Sequence, residues 1–185
     1  MHYFMWIAQA IGFGYIGLAL VAPAPPSVVM GVARDMWPTI STQQAEYSVV
    51  RYPYASNVNT FNKARMLELV NGLRMTHGLG TLEYHDVLLK VAQGHAEFQA
   101  AFRVVTHADT GGLLTDRLAA LGGSWHGNSV IAENVGAGAV GEKEIIDAWT
   151  ASPGHLANIL HPEIQYMGVG VSDGYWVQDL AHFGA

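Results

Sequence analysis

The sequence predicts an α+β fold in which helices cover a small antiparallel sheet. Three observations predict it. Apolar residues recur at helical spacing between residues 60 and 121. A β-rich run, Val130–Val135, follows that helical region. Near the C-terminus, Met167–Val171 and Tyr175–Leu180 flank Ser172-Asp173-Gly174, the pattern of a hairpin with a tight turn.

The elements follow in order. Thr60 can cap a first helix that runs to about Thr76, with Met66, Val70 and Leu73 on one face and Gly78 placed to stop it. Asp86 can cap a second helix, along which Leu88, Val91, Ala92, His95, Phe98 and Phe102 form an apolar stripe. Thr115 opens a short third helix with Leu118 and Leu121 inward, ended by Gly122-Gly123. Glu142 and Glu144 sit where acids favour a helix N-terminus, and Ile145, Ala148 and Trp149 are that helix's apolar residues. Ser152-Pro153 begins another, since Ser suits the N-cap and Pro the first helical position. Leu156, Ile159 and Leu160 are its stripe.

Composition excludes several function classes. The chain has 185 residues, 50% hydrophobic and 13% charged, which supports a packed core and one folded domain. Nine Lys+Arg against fifteen Asp+Glu leave a net charge of −6, no electrostatic footprint for nucleic acid. The absence of Cys rules out disulfide scaffolds, thiol catalysis and cysteine-ligated zinc. Histidine, nine residues in all, is the main resource for metal or acid–base chemistry.

Residues 1–24 carry no Asp, Glu, Lys or Arg and read as a signal peptide, with Ala22-Pro23-Ala24 as its cleavage site, or as an N-terminal membrane anchor. Proline and small polar residues mark 25–56 as a linker, and the folded domain spans 57–185. Contact with a membrane is expected only through residues 1–24, if they are not removed.

Three stretches place ligand-capable side chains at element ends: Thr106-His107-Ala108-Asp109, Ala132-Glu133-Asn134, and Ser152 to Leu160 around His155. None has local zinc spacing, so a metal site would have to be assembled by the fold. His155 falls in the first turn of a helix, where the dipole disfavours imidazolium. The neutral ring is the form that binds a metal or accepts a proton. Glu133 stands in an otherwise apolar strand and needs a partner, for which a histidine or a cation is natural. His95 reads as a satisfied core histidine, His77 and His85 as solvated turn residues, and Arg117 as structural. His126 and His161 lie in loops. Trp125, Trp149 and Trp176 read as core or rim. Gly136 and Gly138 lack the third glycine of a dinucleotide fingerprint.

An ordered set of motifs carries a family resemblance. It runs Asn71-x-x-Arg74-x-x-x-Gly78-Leu79, Ala92-x-x-His95-Ala96, Thr106-His107, Asp116-Arg117 and Ala132-Glu133-Asn134. It continues with Ala148-Trp149-x-x-Ser152-Pro153-Gly154-His155-x-x-Asn158-Ile159-Leu160, Gly168-Val169-Gly170 and Tyr175-Trp176-Val177-Gln178. Over residues 60–180 the chain resembles the CAP superfamily (SCP/TAPS, the SCP-like extracellular domain) in its cysteine-free bacterial form. The resemblance implies a three-layer α-β-α sandwich of the CAP/PR-1 kind, and an extracellular protein, secreted or membrane-anchored facing outside. It also implies a central cleft with His107, Glu133 and His155 as metal ligands for Zn²⁺ or Mg²⁺, and Asn134 and Ser152 beside them in the ligand-binding set. Ser152 stands where many relatives have a second Glu, which removes one carboxylate. The family has no single reaction.

The leading expectation is therefore a secreted protein whose His/Glu cleft binds a divalent cation or a small ligand. A metal-dependent, peptidase-like hydrolase with Glu133 as candidate general base is the first alternative. A lipid- or sterol-binding protein is the second, and an extracellular protein ligand is a further class of partner.

Overall fold

The computed structural model describes residues 7–11, 16–17, 58–122 and 129–184. The leader or anchor reading of 1–24 and the linker reading of 25–56 lie outside these residues, apart from the backbone of two short strands. Gly123, Trp125 and His126 are outside as well. No helix among the described residues is long and apolar enough to cross a membrane.

The strands are β1 (Ile7–Ile11), β2 (Ile16–Gly17), β3 (Glu83–Tyr84), β4 (Val130–Ala137), β5 (Tyr166–Ser172) and β6 (Tyr175–His182), in the order β2-β1-β4-β6-β5-β3. The helices are α1 (Lys63–Thr76), α2 (Asp86–Phe102), α3 (Leu114–Ala120), α4 (Glu142–Thr150) and α5 (Pro153–Ile159). β4, β6 and β5 are antiparallel, whereas β3 pairs parallel to β5. The turn between β5 and β6 has Asp173 at φ 44° and Gly174 at φ 74°, the left-handed pair that matches the twist of a two-residue hairpin.

Strand periodicity divides the core into two halves, so the fold is the expected three-layer sandwich. Met167, Val169, Val171, Trp176 and Leu180 pack with Met66 and Val70 of α1, Ile145 and Trp149 of α4, and Ile159 of α5. On the opposite face Val135, Ala137, Tyr175 and Val177 meet Ala92 and Ala96 of α2, while Ile131 and Ala181 meet Leu88, Leu114 and Leu118. α2 lies directly on β5. A Cβ at Gly168 would sit 2.1 Å from the Leu88 carbonyl carbon, and one at Gly170 2.4 Å from that of Ala92. The Gly-Val-Gly sequence thus sets the helix–sheet distance.

Arg74 ties the α1 layer to the end of α5. Its fully buried guanidinium donates to the carbonyls of Gly80, Ile159, His161 and Ile164 at 2.7–3.2 Å. Asn71 exchanges two hydrogen bonds with the Leu82 backbone (3.0 and 2.7 Å).

Several helix details differ from expectation. Asn62, not Thr60, caps α1, accepting from the Arg65 N–H at 3.0 Å, the N3 donor an N-cap serves. His85, not Asp86, is the N-cap of α2, because its backbone is still extended and its N–H bonds the Met167 carbonyl beside β3. Asp86 then sits in the first turn, favourable for the dipole. His85 is half-buried, not solvated, with its ring against Tyr166 and Phe183. Phe102 is 62% exposed, since the last turn of α2 outruns the sheet and its ring packs on Phe98. Leu121 is 52% exposed at the end of α3, and Leu114 takes the inward position.

Candidate functional site

The loop between α2 and α3 carries His107, and two sets of contacts pin it. Arg117, near the end of α3, donates to the carbonyls of His107 and Gly112, both at 3.0 Å. His95 of α2 holds the rest, with Nδ1 2.8 Å from Asp109 Oδ2 and Nε2 2.7 Å from the Thr106 carbonyl. His95 is fully buried, as its reading as a core histidine expected.

Glu133, 3% exposed on β4, finds both partners that its sequence context called for. His107 Nδ1 lies 2.8 Å from Glu133 Oε1, and the Arg117 guanidinium bonds Oε2. Burial raises the Glu133 pKa, but the His107 hydrogen bond and the nearby His95, His107 and Arg117 outweigh it and hold the carboxyl below its usual range. An ionised carboxylate only accepts, so His107 Nδ1 carries a proton, and in the neutral ring of that tautomer Nε2 is bare. That Nε2 is buried and has no hydrogen-bond partner among the described residues.

Sequence reasoning missed Asp179. It lies directly across from Glu133 in the β4–β6 register, is fully buried, and neither of its oxygens has a hydrogen-bond donor among the described residues. Burial, then the charge of Glu133, pushes its carboxyl well above the usual range. Glu133 is thus one of two buried acids set side by side on β4 and β6. The signal that could have found Asp179 is an acid within the apolar run Tyr175–Leu180, but its partner is fixed only by strand register. Arg117, read as structural, is the charge partner of the site.

Asn134 follows Glu133 in the strand and so faces the other side of the sheet. There its Nδ2 donates to Gln178 Oε1 (2.9 Å) and to the His155 carbonyl (3.3 Å), while its Oδ1 accepts from Asn158 (2.9 Å). Asn158 also donates to the Glu133 carbonyl (3.3 Å), which ties α5 to β4. His155 is fully buried in the first turn of α5, and Ser152 is the N-cap, without a side-chain cap hydrogen bond. The described hydrogen bonds therefore bring His107 to Glu133, and join Asn134 to the His155 backbone across the sheet.

No group of three or more His, Asp or Glu side chains among the described residues is arranged to hold a metal ion. His107 Nε2 is a well-prepared donor, since ligating histidines usually give their other N–H to a carboxylate. The Glu133 carboxylate, however, is already taken by a guanidinium. Of this pair, His107 Nε2 is the atom left to meet Zn²⁺ or Mg²⁺.

Residues 67–180 match the CAP family, described as the cysteine-rich secretory protein family. The chain belongs to the CAP family. It is 30% identical to YlbC, an uncharacterized membrane protein of Bacillus subtilis, over 66% of this chain and 35% of that one. It is also 30% identical to YkwD, an uncharacterized protein of the same organism, over 68% and 48%. The chain thus spans a third to a half of the length of these relatives. An extracellular SCP-domain protein of Bacillus anthracis superposes with TM-score 0.59 at 27% identity, over 63% of this chain and 39% of that one. An outer surface protein of Borrelia burgdorferi has the same fold, at TM-score 0.56 and 21% identity, over 68% and 96%.

Proposed function

We propose that this CAP domain acts outside the cell as a binding protein, and that the His107–Glu133 pair takes a small polar ligand carrying an O–H or N–H. The observation that carries this reading is the His107 ring, its Nδ1 fixed by Glu133 while its buried Nε2 has no partner among the described residues. A buried acceptor without a donor costs about 1–3 kcal/mol, and a ligand hydrogen bond recovers it. The extracellular and surface proteins among its structural neighbours support the location.

The test is a thermal-shift and NMR titration of the full chain with glycerol, acetamide and N-acetylglucosamine, and separately with ZnCl₂ and MgCl₂. The reading expects a hydroxyl- or amide-bearing probe to move the His107 ring resonances and raise Tm, with both effects lost in His107→Phe. A shift with the cations alone would replace it by the cation-site reading. Silence from every probe would remove both. The same dyad, with Glu133 orienting His107, is also the arrangement of a general base, which keeps a hydrolase as the second reading. It predicts p-nitrophenyl acetate turnover that His107→Phe abolishes.

A further inference from the structure

Arg117 stands where acids converge. It belongs to α3, and its side chain is 7% exposed. Nη1 donates to the carbonyls of His107 and Gly112, both at 3.0 Å, and Nη2 bonds Glu133 Oε2. Nε lies 3.7 Å from Asp109 Oδ2, too long for a hydrogen bond but within the reach of charge. Asp179 faces Glu133 across the β4–β6 register, fully buried, and neither of its oxygens has a hydrogen-bond partner among the described residues. Three carboxyl groups, from the α2–α3 loop, β4 and β6, are thus within reach of one guanidinium.

A buried acid needs a donor or a cation beside it. The CAP resemblance makes that cation Zn²⁺ or Mg²⁺ at Glu133. In the fold both Glu133 oxygens are engaged by this chain, Oε1 by His107 Nδ1 and Oε2 by Arg117. A metal ion bonds a carboxylate through the oxygens that these donors hold. To reach Oε2 it must displace a buried, charge-assisted hydrogen bond, and it then stands against a fixed positive charge that little water screens.

We propose that Arg117 is the resident cation of this site. Its guanidinium fills the place beside Glu133 that a divalent metal would take, and Glu133 ligates no metal while the guanidinium is there. Removing the guanidinium leaves Glu133, Asp109 and Asp179 as an anionic seat, which takes a free guanidinium ion or a divalent cation. The inference concerns Glu133, whereas the polar-ligand reading concerns His107 Nε2, so each can fail without the other.

The test uses the full chain with ZnCl₂, MgCl₂ and ethylguanidinium chloride. NMR of carboxyl ¹³C and guanidinium ¹⁵N nuclei follows Glu133 and Arg117. In the wild type neither metal is expected to move these signals, even where Zn²⁺ reaches the His107 ring, and Glu133→Gln should leave Zn²⁺ affinity unchanged. Arg117→Ala should lose stability. Ethylguanidinium should raise its Tm but not that of the wild type, with NaCl at equal ionic strength as control. Zn²⁺ or Mg²⁺ should bind Arg117→Ala about tenfold more tightly than the wild type, the effect of one added charged contact, and Glu133→Gln in that background should remove the gain. Arg117→Lys keeps a cation and should bind metal no better than the wild type. If Arg117→Ala does not fold, the wild type and Arg117→Lys decide. Release of the Arg117 signals by Zn²⁺ together with a shift at Glu133, a loss of Zn²⁺ affinity in Glu133→Gln, or tighter metal binding by Arg117→Lys would each overturn the proposal. So would a folded Arg117→Ala that responds neither to ethylguanidinium nor to either metal.

Discussion

Replacing Arg117 by methionine removes the guanidinium from the centre of the buried network while keeping most of the side-chain volume. Three groups lose a donor: Glu133 Oε2 and the carbonyls of His107 and Gly112. Asp109 Oδ2, 3.7 Å from Arg117 Nε, loses a nearby cation. Glu133 is 3% exposed and faces Asp179, so water cannot substitute. Breaking a buried pair from one side costs about 3–5 kcal/mol, mostly because the other charge is stranded. For a chain of this length 4 kcal/mol lowers Tm by about 10 °C. Adding Glu133→Gln removes the stranded charge, so the double variant should recover about half of the loss, about 2 kcal/mol, and the coupling exceeds this by whatever Glu133→Gln costs alone. Urea unfolding of the wild type, both single variants and the double variant measures it. A loss under about 1 kcal/mol for Arg117→Met, or no recovery in the double variant, would refute the reasoning.

Two further outcomes follow from the same geometry. The Asp179 carboxyl holds its proton to higher pH in the fold than in the unfolded chain, so its stabilising contribution is full at acid pH and lost as pH rises through its raised value. Asp179→Asn should therefore match wild type near pH 3 and exceed it at neutral pH, and an advantage independent of pH in thermal melts would contradict this. Glu133 runs the other way, its contribution being lost as pH falls through its depressed value. Gly170→Ala should cost at least about 2 kcal/mol, because its Cβ meets the α2 backbone, whereas Gly94→Ala, facing open space, should gain about 0.5–1 kcal/mol. Equal effects in paired denaturant melts would remove the claim of close helix–sheet approach.

The helices and the hairpin were legible because periodicity and turn chemistry are local. Gly78 ends α1 at φ 70°, and Asp173-Gly174 makes the turn where the sequence calls for one. Caps were less legible: Thr60 and Asn62 are both competent, and only the fold's entry angle chooses between them. The demand of Glu133 for a histidine or cation could be read from one residue in an apolar strand, and His107 and Arg117 meet it. The grouping of Asn134 with Glu133 in one ligand set could not be checked from spacing, because successive strand residues face opposite layers. Asp179 escaped for a related reason, as it lies more than forty residues from Glu133 in the chain and joins it only through strand register.

The central claim is that Glu133 fixes the His107 ring with its proton on Nδ1 and leaves Nε2 bare. Long-range ¹H–¹⁵N correlation of the imidazole at neutral pH reads this directly. The account predicts the Nδ1–H tautomer in the wild type, and loss of that preference in Glu133→Ala. A proton on Nε2 in the wild type, or a tautomer unchanged by Glu133→Ala, would contradict it.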